Sequence, residues 1–140
     1  MTNIAAAIGV KQLEKLDKFN SIRRENADFF KNRLSSLEEV IIPHYPEKYF
    51  HVYHLYTIKA LNRDQLANYL DKNEIGYGIH YPMPLYKQPL YKKMNEVQIT
   101  LSVVEKVCKK VISLPVHPGL SDKDLKKIVK VVINFYNSEA

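Results

Sequence analysis

The first quarter of the chain has the hydrophobic repeat of a long helix. Apolar side chains recur at three- and four-residue steps through residues 4–37, with polar positions between them. The members of this repeat are Ile8, Leu13, Leu16, Phe19, Ile22, Phe29, Phe30 and Leu34. Residues 4–7 are apolar on every side of the helix, and a helix start without a polar face is normally buried in a large body. We therefore expect this helix to lie partly outside the small domain that follows it.

The middle of the chain alternates short strand-like and helical segments. β-Branched and aromatic residues predict one strand over residues 52–59 and a second, shorter strand over residues 77–81. Between them, Asn62 and Gln65 match a capping box, in which two side chains satisfy the first free N–H groups of a helix. The pattern therefore predicts a helix over residues 63–73.

The last third of the chain begins after a proline-rich loop. Residues 82–91 hold three prolines, so we expect neither a helix nor a central strand to run through them. Ser102 and Glu105 match a second capping box at the start of a helix, and residues 112–116 form a short strand-like run. A third box, Ser121 with Asp124, opens a final helix with the apolar stripe Leu125, Ile128, Val129, Val132, Ile133 and Tyr136.

These elements predict a small α+β domain in which a sheet of a few short strands is covered by helices. We divide the chain into a long helical segment, residues 1–37, and a C-terminal α+β domain, residues 38–140. The 140 residues and 46% hydrophobic content suffice for one buried core. No apolar run approaches the ~18 residues of a membrane span and no signal peptide opens the sequence, so we expect a cytoplasmic protein that does not contact a membrane.

Composition and charge exclude several classes of protein. The single cysteine, Cys108, leaves no internal disulfide and no CxxC metal or redox motif. The four glycines form neither of the glycine-rich phosphate-binding loops. The net charge of +6 could suggest nucleic acid, but most of the lysines fall on solvated helix faces and no nucleic-acid-binding motif accompanies them. Nucleic acid is therefore not an expected partner.

Five histidines are candidates for chemistry. His51 and His54 lie three apart on an expected strand, so their rings point to opposite faces and form a poor metal pair. His44 sits in a proline-rich turn and is expected to be exposed. His80 and His117 each end a short strand beside a proline, where a side chain can be aimed into a cleft. A structural or solvated role is the ordinary alternative for each lone histidine.

The loop of residues 80–91 has an unusual composition. It combines an imidazole, three phenols, an amide and a lysine with three prolines, which lower the entropic cost of ordering an exposed loop. These groups can hydrogen-bond hydroxyls and phosphates, so the loop suits a sugar- or nucleotide-binding lip better than a proton-transfer centre. An ordinary rigid connector is the alternative.

Residues 78–91, Gly-Ile-His-Tyr-Pro-Met-Pro-Leu-Tyr-Lys-Gln-Pro-Leu-Tyr, resemble a signature loop of the DegT/DnrJ/StrS family. These are pyridoxal-phosphate-dependent aminotransferases that act on keto sugars attached to nucleotides. Three more segments agree with the family in order and spacing, namely residues 1–13, 51–56 and 113–118. The resemblance extends to about residue 136 and therefore covers nearly the whole chain.

The resemblance implies the small C-terminal domain of such an aminotransferase. Within that domain it implies substrate-positioning roles and assigns no catalytic, cofactor-binding or metal-binding residue. The residues implied are His80, Tyr81, Tyr86 and Gln88 in the loop, with His54 and His117 in support. Tyr86 departs from the family pattern because many members carry a second histidine at this position.

The family's larger N-terminal domain supplies the lysine that binds the cofactor covalently, the acid beside its pyridine nitrogen and the ring stacked on it. The sequence contains none of that domain and begins just after the family's Asn-x-Arg motif. We therefore expect the chain alone to bind no pyridoxal phosphate and to be inactive, although its family is enzymatic. The expected partners are a second copy or a separate large domain, with a nucleotide sugar as substrate of the intact enzyme.

An alternative interpretation is a non-catalytic module that associates with itself or with a separately encoded large domain. The apolar positions Ile4, Ala7 and Ile8 would form its interface, since an exposed apolar patch usually marks a contact surface.

Overall fold

The computed structural model describes residues 1–93 and 100–139; residues 94–99 and 140 of the expected C-terminal domain lie outside this description. The elements, in chain order, are α1 (Asn3–Leu34), β1 (Val40–Ile41), β2 (Tyr56–Ala60), α2 (Arg63–Lys72), a 3-10 turn (Leu85–Lys87), α3 (Pro89–Lys93), α4 (Ser102–Cys108), β3 (Val111–Leu114) and α5 (Asp122–Glu139). Within the described ranges the strands form one antiparallel sheet in the order β1-β2-β3. The predicted α+β class with a long N-terminal helix is confirmed.

Strand β2 is the centre of the sheet and buries one of its faces. Ile58 pairs with Ile112 of β3, and Val40 of β1 pairs with Ala60. Tyr56, Ile58 and Ala60 are buried whereas Lys59 is exposed, which is the alternation expected of a half-covered strand. The helices α1, α2 and α5 complete the core with fully buried residues that include Phe30, Leu34, Leu66, Leu70 and Val132.

The two halves of α1 lie in different environments. Asn26, Ala27, Phe30 and Leu34 in the second half are buried, whereas the apolar side chains of the first half are exposed. Ile4, for example, is 75% exposed. The expectation that the helix begins outside the domain is therefore confirmed for the described residues, while the division of the chain at residue 37 stays a prediction.

The predicted strand over residues 52–59 begins four residues late. Tyr53 has a φ of 47°, in the left-handed region that interrupts an extended strand. Its ring is 3% exposed and packs against the rings of Tyr45, His51 and Tyr56. Burial of this aromatic cluster outweighs the strand propensity of the segment. Neither His51 nor His54 lies on a strand, so the argument from opposite faces was wrong.

Two other predictions around the loop need correction. The strand expected over residues 77–81 is reduced to a single antiparallel bridge between Gly78 and Ser113. The proline-rich segment was expected to exclude a helix, but Pro89 begins α3. A proline is tolerated at the first helical position because the N–H that it lacks has no partner within the helix there.

Of the three predicted capping boxes, one forms. The Asp124 N–H donates to Ser121 Oγ at 3.2 Å, and the Ser121 N–H donates to Asp124 Oδ2 at 2.9 Å. Hydrogen bonds to Oδ2 from the Ser121 hydroxyl, at 2.6 Å, and from the Ser121 N–H lower the pKa of the Asp124 carboxyl. Asn62 takes a left-handed backbone conformation and makes no capping hydrogen bond to α2, and α4 begins after Leu101 without a side-chain cap.

A buried amide joins α1 to the segment after β3. Asn26 is 5% exposed, and its Nδ2 donates to the carbonyl oxygens of Val116 at 3.4 Å and His117 at 3.3 Å. Both carbonyls face the helix instead of a neighbouring strand. The amide therefore stabilises this segment in a position that the sheet alone does not define.

Replacing Asn26 is expected to destabilise the domain. The Asn26→Ala change leaves the Val116 carbonyl without its donor and removes one of the two donors to the His117 carbonyl, which also accepts the Leu120 N–H. It should lower the free energy of unfolding by about 1–2 kcal/mol in urea denaturation. Asn134→Ala is the matched control, because Asn134 is an exposed residue of α5, and its effect should stay within about 0.5 kcal/mol. Equal effects of the two substitutions would contradict the role of the buried amide.

Candidate functional site

Two of the predicted residues, His54 and His117, line one cavity of about 230 Å³. His54 belongs to the segment before β2, and His117 follows β3. Arg23 of α1 and Ser113 of β3 contribute to the same wall. Gly76 and Tyr77 also line it, so the cavity gathers residues from four parts of the chain that are far apart in sequence.

Helix α1 positions both histidine segments through backbone carbonyls. Arg23 Nη1 donates to the carbonyl oxygens of Tyr53 at 3.2 Å and His54 at 3.3 Å. One turn further along, Asn26 holds the carbonyl of His117. Because both donors come from one rigid helix, the separation of the two imidazoles is set by α1 as well as by the sheet.

The His117 ring has a defined orientation. Its Nδ1 accepts a hydrogen bond from the Gly119 N–H at 3.2 Å. A neutral ring that accepts at Nδ1 carries its proton on Nε2. His117 is an exposed residue, so a ring fixed in this way can offer an N–H donor to a ligand in the cavity.

His80 is connected to this cavity through Ser113. His80 Nδ1 lies 3.3 Å from Ser113 Oγ, which is itself 2.8 Å from Thr57 Oγ1. The backbones of Gly78 and Ser113 exchange two hydrogen bonds, of 3.0 and 2.7 Å, and so hold the loop against β3. Ser113 is 3% exposed, so it forms a buried link between the His80 imidazole and the cavity wall.

The other loop residues form a second group. Tyr81 is 72% exposed, with its ring edge-on to the His80 ring at 5.7 Å between centroids, and Gln88 is exposed. Tyr86 donates its hydroxyl hydrogen to Glu105 Oε1 at 2.7 Å. A cavity of about 440 Å³ lies beside this group, lined by Pro82, Met83, Pro84, Lys87, Pro89, Glu105, Cys108 and Lys109.

The predicted site residues are therefore divided between two neighbouring regions. His54, His80 and His117 meet around Ser113, whereas Tyr86 and Gln88 lie on the far part of the loop. The Tyr86 hydroxyl is occupied by Glu105 as its acceptor and by the Leu101 N–H as its donor, at 3.2 Å. The substrate-binding roles of all six residues stay predictions.

Sequence reasoning missed the residues that position the histidines. Asn26 falls in the row Ile22, Asn26, Phe30 and Leu34, where every other member is apolar at a spacing of four. A polar residue in such a row is expected to be buried and to need a partner, so this signal was available. Ser113 gave no comparable signal, because a serine beside buried apolar residues is common on a strand.

The histidine cavity does not fit covalent attachment of pyridoxal phosphate. The histidine cavity contains no lysine among the residues that line it. Lys87, beside the second cavity, has its Nζ 2.8 Å from Glu105 Oε2, and this pairing raises the pKa of the ammonium group. A protonated amine is a poor nucleophile, so Lys87 is unsuited to bond the cofactor.

Residues 1–93 and 100–139 contain neither a candidate metal-binding cluster nor a helix that could span a membrane. No group of three or more histidine, cysteine, aspartate and glutamate side chains is arranged to hold a metal ion. No helix in these ranges is long and apolar enough to cross a membrane.

The antiparallel sheet, the long helix α1 and the histidine cavity define a small α+β domain with a candidate site beside β3. The model of the DegT/DnrJ/EryC1/StrS aminotransferase family matches residues 1–133. The chain belongs to this family, as its resemblance to the loop signature predicted.

Individual relatives agree with this assignment. The chain is 33% identical over 148 aligned residues to a GDP-perosamine synthase of Escherichia coli O157:H7, covering 99% of this chain and 37% of that protein. It is 31% identical to a pleiotropic regulatory protein of Geobacillus stearothermophilus, covering 94% and 36% of the two chains. The solved structure of S. venezuelae DesV superimposes with a TM-score of 0.86 at 28% identity, over 93% of this chain and 35% of DesV. The chain thus spans about a third of the length of the relatives that it matches.

Gly78 is expected to be required for the position of the His80 ring. A Cβ atom at Gly78 would overlap the imidazole, with Cε1 and Nδ1 of His80 as its nearest neighbours, whereas a Cβ at Gly76 meets nothing within 4 Å. Gly78→Ala should therefore displace the ring from Ser113 and change the NMR signals of the His80 imidazole.

Gly76→Ala is the matched control. It should leave the His80 signals unchanged and alter stability by less than about 1 kcal/mol. Unchanged His80 signals in Gly78→Ala would contradict the close packing of this loop.

Proposed function

We propose that the chain is the C-terminal domain of an aminotransferase that acts on nucleotide-linked keto sugars, and that its role there is to position the substrate. The observation that carries the proposal is the convergence of His54, His80 and His117 around Ser113 within a member of this family. Similar proteins include a GDP-perosamine synthase of E. coli O157:H7 and a dTDP-3-amino-3,4,6-trideoxy-alpha-D-glucose transaminase of Streptomyces venezuelae. Polysaccharide or cell-surface sugar biosynthesis is the proposed setting.

The chemistry of the site suits a sugar nucleotide. Neutral imidazoles and an amide can each donate to and accept from sugar hydroxyls, and exposed phenols such as Tyr81 add a flat apolar surface with a polar end. The guanidinium of Arg23 lies in the wall of the histidine cavity, where it adds positive charge on the side that would face a phosphate. In this proposal the described residues bind and orient a ligand.

Pyridoxal phosphate supplies the amino-transfer chemistry in this family. Because no lysine lines the histidine cavity, the proposal assigns the attachment lysine to the larger part of the enzyme. It follows that the chain alone would be inactive and would bind no cofactor. The proposal includes a cytoplasmic location, in line with a single unpaired cysteine.

Removing the His80 imidazole tests the positioning role. The assembly that contains this chain would be purified through a tag on the chain and assayed for amino transfer to a nucleotide-linked keto sugar. His80→Ala should lower kcat/KM by about tenfold or more, chiefly through KM, because a polar contact to the bound substrate is lost.

His44→Ala is the matched control, since His44 is exposed and lies in the loop after β1, away from the histidine cavity. It should leave kcat/KM unchanged. An assembly without transaminase activity, or equal effects of the two substitutions, would refute the proposal.

A second candidate function is supported by the exposed first half of α1. Ile4, Ile8 and Leu13 are 75%, 58% and 68% exposed, and no described residue covers them. An apolar surface of this kind favours an interface. We infer that in isolation this surface pairs with a second copy of the chain, and that in the intact enzyme the larger part covers it.

Self-association through α1 can be measured by sedimentation of the isolated chain over a range of concentrations. The wild-type chain should form dimers, and Ile8→Lys should weaken the association by about tenfold or more, because a charge would be buried at the contact. Ile41→Lys is the matched control, because Ile41 is also 58% exposed but lies on β1. A monomer at all concentrations would exclude the self-association.

A further inference from the structure

Glu105 lies at the centre of a cluster that joins the proline-rich loop to α4. Its Oε1 accepts the hydroxyl hydrogen of Tyr86 at 2.7 Å, and its Oε2 lies 2.8 Å from the Lys87 ammonium. The Tyr86 hydroxyl oxygen in turn accepts the Leu101 N–H at 3.2 Å. We call Glu105, Tyr86 and Lys87 the Glu105 cluster.

The cluster is the main polar attachment of this part of the loop. The 3-10 turn that carries Tyr86 and Lys87 has two internal hydrogen bonds, from the Lys87 N–H to the Pro84 carbonyl and from the Gln88 N–H to the Leu85 carbonyl, both 3.0 Å. Pro84 is buried, whereas Leu85 is 62% exposed, so the turn itself buries little apolar surface. Polar contacts with α4 therefore add to the burial of Pro84 in holding the turn in position.

The carboxylate has no competing role in its own helix. Glu105 matches a capping box with Ser102 in sequence, but α4 begins after Leu101 and makes no side-chain cap. Both carboxylate oxygens are instead directed at the loop. One of these oxygens, Oε1, accepts the hydroxyl hydrogen of Tyr86. By the resemblance described above, many family members carry a histidine at this position.

We propose that Glu105 is a positioning residue that fixes the loop bearing His80, Tyr81 and Gln88 by accepting hydrogen bonds from Tyr86 and Lys87. The attachment itself is a property of the described chain. Its consequence for substrate rests on the proposed function, because only then is the loop the lip of a substrate site. In this cluster the Tyr86 hydroxyl holds the loop by its hydrogen bond to Glu105, and it does not contact the substrate.

The charges around Glu105 keep it ionised. The hydrogen bonds from Lys87 and Tyr86 lower the pKa of the Glu105 carboxyl, and the positive charges of Lys87 and Lys109 add to this effect. A carboxyl whose pKa is lowered in the folded state contributes stability above its unfolded pKa and loses that contribution as the pH falls through the folded value. The loop should therefore remain attached at neutral pH and be released in acid, below the usual titration range of glutamate.

Amide hydrogen exchange of the whole chain tests the attachment. The reporters are the Lys87 and Gln88 amides of the 3-10 turn, with amides of α5 as an internal reference. Glu105→Gln and Tyr86→Phe should each accelerate exchange at the reporters by about fivefold or more without affecting α5. Unchanged exchange at the reporters in both variants would overturn the proposal.

Two control variants match these substitutions. Glu38→Gln removes one carboxylate from an exposed residue, and Tyr49→Phe removes one hydroxyl from a tyrosine that is 57% exposed. Both should leave exchange at the reporters within about twofold of the wild type, because neither residue contacts the loop. Acceleration as large as that of Glu105→Gln would overturn the assignment to Glu105.

The pH dependence distinguishes a Glu105 that holds the loop through its charge from a Glu105 that only packs against the loop. In the wild type, the backbone NMR signals of residues 85–88 should shift in one step as the pH falls through the lowered pKa of Glu105, below its ordinary ~4.3. The step should be missing in Glu105→Gln. A step that persists in this variant, or a wild type without one, would contradict the proposal.

The link to substrate is tested in the assembly used for His80. Glu105→Gln should raise KM for the nucleotide-linked sugar by about fivefold and leave kcat within about twofold, because the residue orders the lip without touching the reacting atoms. An unchanged KM beside accelerated loop exchange would overturn the positioning role. If His80→Ala leaves activity unaltered while the exchange effect appears, the proposed function fails and the attachment stands.

Discussion

The hydrogen bonds from the middle of α1 are the constraint on which the candidate site depends. The segments before β2 and after β3 carry carbonyls that no neighbouring strand pairs, and a buried carbonyl without a donor is costly. Arg23 and Asn26 supply donors to these carbonyls from one helix face, and the Leu120 N–H is a second donor to the His117 carbonyl. The hydrogen bonds that satisfy these carbonyls therefore also set the spacing between His54 and His117. The sheet contributes the third histidine, because the Gly78–Ser113 bridge brings His80 to the same place.

Periodicity predicted the helices better than the strands. The stripe of α5 and the repeat of α1 each extend over several turns, so one misassigned residue does not disturb them. The strands are two to five residues long, and within so short a run a single aromatic residue can change the outcome. Tyr53 did so, because its ring gained more from the cluster with Tyr45 and Tyr56 than its backbone would have gained from a longer ladder.

Some residues of the candidate site could likewise be predicted from the sequence, and others could not. Resemblance to the family selected the histidines and the loop, because these residues stand in a recognisable order along the chain. It could not select Asn26 or Glu105, whose partners are contributed by segments distant in sequence. The apolar row around Asn26 indicates that its amide is buried, but it does not identify the acceptor ninety residues away. Glu105 illustrates the same limit, because its spacing from Ser102 indicates a helix cap while the folded chain uses both carboxylate oxygens elsewhere.

Because α1 is one continuous helix, its exposed half is rigidly connected to the half that positions the histidines. Thirty-two residues in one helix span about 48 Å, with no internal break between the exposed start and the donors Arg23 and Asn26. Whatever covers Ile4 and Ile8 therefore fixes the direction of the same rigid element that spaces the histidines. A body packed against the first half of α1 would be held at a fixed position relative to the histidine cavity without contacting it. In the enzyme proposed above, the histidine cavity and the body that covers α1 would therefore lie at a distance set by a single helix.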